Sequence, residues 1–301
     1  MNTSGTVIDL DELLALRSAA RDLRLRAVRR VYGGQSGGFL SPLRGRGLMY
    51  EETRVYQAGD DTRHIDWRVT ARTERPHTKL YREERERPVW FVLDQSAYMH
   101  FGTRVAFKTV VAARLAAVLA WSARVQGDRV GAVVFNDQHL AWMTPLGGDR
   151  GVVHCLRMFA QARTQMPSNG LEDALQRTAH AARPGSLIYV MSDFNQWDAA
   201  QARSAQRLAK HCDVVLVRIF DPLEMTPPPA GLYGLSDGER TMLWDTRAAT
   251  LAARYSAEFA ARGQTLNKFC HRQRIAYVEQ GTHLSINQAL AVIATAHGAL
   301  T

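Results

Sequence analysis

From Val89 onward the chain alternates between two patterns. Short, wholly apolar runs such as Val89–Leu93 and Leu187–Met191 are separated by longer stretches whose apolar residues return at helical spacing. The first pattern belongs to buried parallel strands and the second to amphipathic helices. Strands are predicted over Val89–Leu93, Arg129–Phe135, Leu187–Met191, Val214–Phe220 and Ile275–Val278, with an edge-like strand at Leu140–Met143. Helices are predicted over Arg104–Val125, Val152–Gln161, Leu171–Ala182, Ala199–His211, Ala248–Arg262 continuing toward Arg272, and Ile286–Ala296, and a Pro-rich loop at Pro227–Pro229. Strands alternating with helices predict an α/β fold with a doubly wound, mainly parallel sheet and right-handed crossovers.

Upstream of Val89 the pattern changes. Ile8–Val31 carries apolar residues near helical spacing with arginines between them, which predicts a basic amphipathic helix laid on its own domain or offered to a partner. Gly33–Gly38 breaks that helix, and Ser41–Gly47 continues as an irregular basic loop. Leu48–Gln57 then reads as a strand, Ala58–Asp61 as a turn, Thr62–Thr70 as a short helix capped by the aspartates, and Thr78–Arg87 as a second strand. The chain thus divides into an N-terminal basic helix with a Gly-rich linker (1–47), a small charged β-containing subdomain (48–88) and the α/β domain (89–301).

Composition adds one surprise. The hydrophobic content of 46% and charged content of 22% are those of a soluble globular chain, but the net charge of +9 is concentrated at the front, where eight arginines face a single acid between Leu13 and Tyr50. Such a block attracts nucleic acid, an anionic membrane or an acidic protein. Cys155, Cys212 and Cys270 are too widely spaced for a disulfide framework or a thiolate zinc site, which points to a reducing, cytoplasmic setting. The most apolar long run, Val105–Val125, is interrupted by Lys108, Arg114 and Arg124, so no membrane insertion is expected.

Chemistry concentrates where the apolar runs stop. In a parallel sheet the loops after Leu93 and Met191 leave the same edge and bring Asp94, Ser96 and Asp193 together, with Ser168 and Asn169 able to add an oxygen. Hard oxygen donors converging from separate loops suit Mg2+. A second cluster, Arg54, Asp60, Asp61, Arg63, Asp66, Arg68 and Arg72, belongs to the small subdomain and reads either as an internal ion-pair network or as a docking surface. Signatures of catalysis are missing: there is no Gly-x-Ser-x-Gly elbow, no His-Glu-x-x-His and no Walker A loop.

Asp94-Gln-Ser96-Ala-Tyr98 resembles the Asp-x-Ser-x-Ser loop of von Willebrand factor A domains, whose adhesion site holds a metal ion between this loop, a threonine and a further aspartate, here Asp193. Arg54-Val-Tyr56-Gln-Ala-Gly59-Asp60-Asp61-Thr-Arg63-His-Ile-Asp66-Trp67-Arg68, running on to Arg72, is similar to the signature of the bacterial family called domain of unknown function 58, in a form without transmembrane helices. The resemblance implies a von Willebrand A-like domain, a MoxR-type AAA ATPase as partner and an adapter role in assembly, maturation or metal insertion on an unknown client. It places Asp94, Ser96, Asn169 and Asp193 around a degenerate Mg2+ site and Tyr98, Trp67 and the charged cluster on the docking surface. The chain departs from the pattern at Tyr98, where a serine belongs, and at Asn169, where a threonine belongs. A phenol is a poor Mg2+ ligand, and its bulk could fill the ion's place. A carboxylate of the partner would complete the metal's coordination, or hydrogen-bond at this edge if no metal is there.

Two other classes stand against the adapter. A metal-dependent phosphoesterase could be built on Asp94 and Asp193, and a polyanion-binding protein on the N-terminal arginines. The latter predicts steep loss of binding to a nucleic acid as salt rises and abolition by charge reversal of Arg24, Arg26, Arg29 and Arg30; a flat salt response in a filter-binding titration excludes it.

Overall fold

The computed structural model describes residues 5–20, 48–57, 62–83, 86–161, 166–167, 170–236, 241–285, 287–288 and 290–293. They fall into two compact units, 1–31 with 87–301, and 32–86.

The larger unit begins with α1 (Leu10–Ala15), capped by Asp9, whose side chain accepts from the Asp11 amide at 3.0 Å. Leu13 is 1% exposed and joins the main core, and the Glu12 carboxylate meets Arg114 at 2.6 Å. The helix is shorter than its predicted span. Beyond Leu16 the amides bond three residues back, Arg17 to Leu14 and Ala19 to Leu16, and Arg17 is drawn onto Asp149 at 2.8 Å and over the Trp121 ring. The remainder of the predicted helix, from Arg21 to Val31, lies outside the described residues.

The smaller unit is an antiparallel pair, β1 (Leu48–Val55) and β2 (His77–Glu83), with α2 (Trp67–Thr73) in the connection. The cap of α2 is Asp66, whose carboxylate accepts from the Arg68 and Val69 amides at 3.1 and 3.3 Å. This corrects the expectation that Asp60 and Asp61 cap it; those two residues lie outside the described ones. The short helix begins at Trp67 because Asp66 is the acid that directly precedes it, with a 3-10 turn over Thr62–His64 filling the interval.

The chain then enters β3 (Pro88–Asp94), α3 (Lys108–Val125), β4 (Arg129–Phe135), β5 (His139–Leu146), α4 (Gly148–Ala160), the two-residue β6 (Met166–Pro167), α5 (Leu171–Ala181), β7 (Leu187–Ser192), α6 (Ala199–Ala209), β8 (Asp213–Phe220) and the single turn α7 (Pro222–Met225). A hairpin of β9 (Leu232–Ser236) and β10 (Thr241–Asp245) precedes the long α8 (Ala249–Gln273) and β11 (Ala276–Gly281). The sheet order is β11-β8-β7-β3-β4-β5-β6; pairs from β11 to β4 are parallel, while β5 and β6 add an antiparallel edge.

Both faces of this sheet are covered. Alternate residues of β3 feed two apolar layers: Val89, Phe91 and Leu93 join α3, α4 and α1, while Trp90 and Val92 join α5, α6 and α8. Phe91 stacks on Tyr189 of β7 with ring centroids 5.5 Å apart and meets Phe159 of α4 edge-on. At the strands' amino ends the Arg87 guanidinium pairs with Asp213 and donates to the Gly185 carbonyl at 3.0 Å. No helix among the described residues is long and apolar enough to cross a membrane.

Docking of α1 into this core is testable. Leu13→Ala lowers the stability measured by urea unfolding by about 2–5 kcal/mol, the range for truncating a buried leucine; a change within error would show that the segment is not packed.

Candidate functional site

Strands β3 and β7 lie side by side in parallel, with Leu93 opposite Met191, so their last residues leave the sheet together. After β3 the chain crosses through α3 on one face, and after β7 it crosses through α6 on the other. Strands whose crossovers part in this way open a crevice at their carboxyl ends. Here the crevice is a cavity of about 180 Å³ lined by Asp94, Ser96, Tyr98, Asp137, Ser192, Asp193, Asn195, Gln196 and Gln201, among others.

Asp94 is buried at the cavity floor. Its Oδ1 accepts from the Ser96 amide at 2.8 Å and its Oδ2 from the Ser192 hydroxyl at 2.5 Å, while Ser192 Oγ accepts from the Phe194 amide at 3.1 Å. Burial pushes the Asp94 carboxyl up to about 6; the hydrogen bonds from Ser192 and Ser96 act against the shift, and the nearby Asp193 charge adds to it. Phe194 turns the second loop with a left-handed φ of 52°, a conformation non-glycine residues adopt only when their surroundings hold them there. Its ring is fixed by an edge-on contact to Trp197.

Asp193 is engaged on both oxygens. Oδ1 accepts from the Asn195 amide at 3.0 Å, and Oδ2 accepts from Asn195 Nδ2 and from Lys108 Nζ, each at 2.9 Å. Lys108 starts α3, is fully buried and also donates to Glu224 Oε1 at 2.7 Å. Glu224 belongs to a capping box in which the Asp221 side chain accepts from the Leu223 amide and Glu224 accepts from the Asp221 amide. Asp221 further receives the Thr103 amide at 2.9 Å and the Thr103 and Thr282 hydroxyls, each at 2.6 Å. Burial works against its ionisation, but the Thr103 and Thr282 hydrogen bonds outweigh it and hold this carboxyl below the ordinary carboxylate value.

The structure therefore brings Asp94, Ser96, Tyr98 and Asp193 to one cavity, while Asn169 and Ser168 lie outside the described residues. Tyr98 is 55% exposed, and the buried member of its 3-10 turn is Met99. The half-exposed ring lines the outer part of the cavity. In the smaller unit Trp67 is 70% exposed, and Arg63, Arg68 and Arg72 are exposed as well. There Arg54 donates to the Val55 carbonyl at 3.2 Å, Asp66 is spent on the α2 cap, and Asp60 and Asp61 lie outside the described residues.

Lys108, Ser192, Asn195 and Glu224 were not anticipated from sequence. One signal for them was present: Asp221-Pro222-Leu223-Glu224 has the spacing of a capping box directly after a strand. Lys108 had no comparable mark, since a lysine before an apolar helix ordinarily faces water.

The donors do not fit the Mg2+ that the resemblance implies. Position 98 carries a phenol at the rim, Asp94 has both oxygens engaged, and Asp193 shares one oxygen with an ammonium that would repel a dication. Among the described residues no group of three or more His, Cys, Asp or Glu side chains is placed to hold a metal.

The raised Asp94 carboxyl has a pH consequence. Its value is near 3.8 in the unfolded chain and about 6 when folded, so its favourable contribution is complete below pH 3.8 and is lost as pH rises through 6. Asp94→Asn keeps an acceptor for the Ser96 amide, turns the other position into a donor facing Ser192 Oγ, and removes this loss. Relative to wild type it gains on the order of 2–3 kcal/mol between pH 4 and pH 7.5 in urea unfolding; equal pH slopes for the two proteins would contradict this.

Residues 52–265 match the family described as protein of unknown function DUF58. Two mycobacterial proteins, uncharacterized protein Rv1480 of Mycobacterium tuberculosis and uncharacterized protein Mb1516 of Mycobacterium bovis, are each 31% identical over 232 residues, covering 74% of this chain and 71% of theirs. Among solved structures, conserved hypothetical protein BatB from Bacteroides thetaiotaomicron aligns over 71% of this chain and 98% of its own with 17% identity and a TM-score of 0.44. An aerotolerance-related membrane protein from Bacteroides fragilis aligns over 71% and 99%, also with 17% identity, at a TM-score of 0.45. The family match spans well over half of the sequence and the mycobacterial relatives are 31% identical over the 232 aligned residues, so the chain belongs to the DUF58 family of proteins of unknown function.

Proposed function

We propose that the chain is a non-catalytic adapter whose larger unit is a von Willebrand A-like domain, and that it docks a partner protein at the carboxyl edge formed by the loops after β3 and β7. The observation that carries this reading is Tyr98, 55% exposed at the rim of a cavity whose acids are all engaged from within. An exposed aromatic beside ordered polar groups gains most from being covered by another protein, because its large apolar ring leaves water at little cost in side-chain freedom. Two of these acids are poor candidates for catalysis: Asp193 is tied to an ammonium, and Asp137 accepts the Ala97 amide at 2.8 Å. The partner is a MoxR-type AAA ATPase, by the resemblance of the Arg54–Arg72 signature and the Asp94 loop, and the pair acts in the cytoplasm on the assembly or maturation of a client. Trp67, with Arg63, Arg68 and Arg72 on the smaller unit, is a second docking surface in the same reading.

The experiment is co-purification with a MoxR-type AAA ATPase from the same genome. Tyr98→Ala reduces recovery of the ATPase about tenfold or more, the effect of losing an aromatic anchor, while Val125→Ala, an exposed apolar position away from the edge, leaves it unchanged. Full recovery with Tyr98→Ala rules out docking at this edge, and full recovery with Trp67→Ala rules out the second surface.

A further inference from the structure

Lys108 occupies the first position of α3, and its side chain has no contact with water. A cation there faces the positive end of the helix dipole, and a buried ammonium without partners is not sustainable. Both costs are offset by two carboxylates, Asp193 Oδ2 at 2.9 Å and Glu224 Oε1 at 2.7 Å. Neither carboxylate is free to move: Asp193 is fixed by Asn195, and Glu224 by the Asp221 amide at 2.8 Å. The Phe101 ring lies 6.0 Å from Nζ. The ammonium is thus clamped between the second loop of the edge and the turn after β8.

We propose that Lys108 is the resident cation of this edge: its ammonium fills the electrostatic role that a divalent metal fills in the adhesion site the sequence resembles, and the edge is complete without a metal. An incoming dication that used Asp193 would bring two further positive charges beside the buried ammonium on Oδ2. The outcome reverses when the ammonium is replaced by an uncharged chain of similar length. Lys108→Met leaves the buried Asp193 and the partly buried Glu224 carboxylates with no counter-charge between them, and a hard dication relieves that arrangement.

The inference concerns the edge on which the docking proposal rests, but it is tested on the protein alone, so the two fail separately. Wild type, Lys108→Met and Asp193→Asn are titrated with MnCl2 and with MgCl2 by calorimetry and followed by thermal unfolding. Wild type gives no saturable heat at millimolar ion and no rise in Tm. Lys108→Met has a lower Tm without metal, binds Mn2+ saturably at least tenfold more tightly than wild type, and recovers Tm as Mn2+ is added. Saturable Mn2+ binding by wild type that Asp193→Asn abolishes overturns the proposal, as does a folded Lys108→Met that does not respond to Mn2+. If Lys108→Met does not fold even with Mn2+, the ammonium is observed directly in wild type labelled with 15N-lysine. A slowly exchanging ammonium signal that vanishes in Asp193→Asn and is unmoved by millimolar Mg2+ supports the proposal. A signal that shifts saturably with Mg2+, or the lack of any protected ammonium signal, overturns it.

Discussion

A strand with neither face on water places polar side chains mainly where it leaves the sheet. β3 is such a strand, sandwiched along Val89–Leu93 between two apolar layers; β7 beside it and β8 beyond β7 are buried as well, β8 with one charged residue inside it, Arg218, which pairs with Glu279. All three end in an acid at or just past the last strand residue: Asp94, Asp193 and Asp221. The line of carboxylates along the carboxyl edge is therefore a consequence of how the core is covered, and the loops that carry them have to manage three negative charges at the boundary of an apolar interior.

The three acids meet three different solutions. Asp94 is held by neutral donors from Ser192 and Ser96, and burial raises its carboxyl to about 6. Asp193 shares the Lys108 ammonium with Glu224. Asp221 is given four hydrogen-bond donors and stays ionised. Environment, and not residue type, sets what each can do. The edge also depends on the Lys108 link staying whole, since removing one partner of a buried ion pair leaves the other charge uncompensated and costs about 3–5 kcal/mol. The link joins α3 to the loop after β7 and to α7, elements far apart in sequence, so the cavity floor is stiff while Tyr98 at its rim remains exposed.

Much of the architecture was legible because it rests on period and punctuation. The apolar runs at Val89–Leu93 and Leu187–Met191, and the run Val214–Phe220 that only Arg218 interrupts, are strands within a residue or two of their predicted ends, since so apolar a run has nowhere to go but the middle of a sheet. The hairpin of β9 and β10 was not legible. Leu232, Met242 and Leu243 are exposed, so no buried face imposed an alternation that could be read. The helix predicted from Ile8 ends at Ala15 because Arg17 is captured by Asp149 and Trp121, partners more than a hundred residues away.

The sequence by itself determined the fold class, the family and the meeting of Asp94, Ser96 and Asp193, because hydrophobic period and parallel topology are properties a linear pattern carries. Only the tertiary structure decided which charges those acids see. Lys108 is 85 residues from Asp193 and 116 from Glu224, and nothing local to it distinguishes a buried counter-ion from a solvated lysine. Electrostatic partnership depends on distance through space and on exclusion of water, and both exist only once the chain has folded.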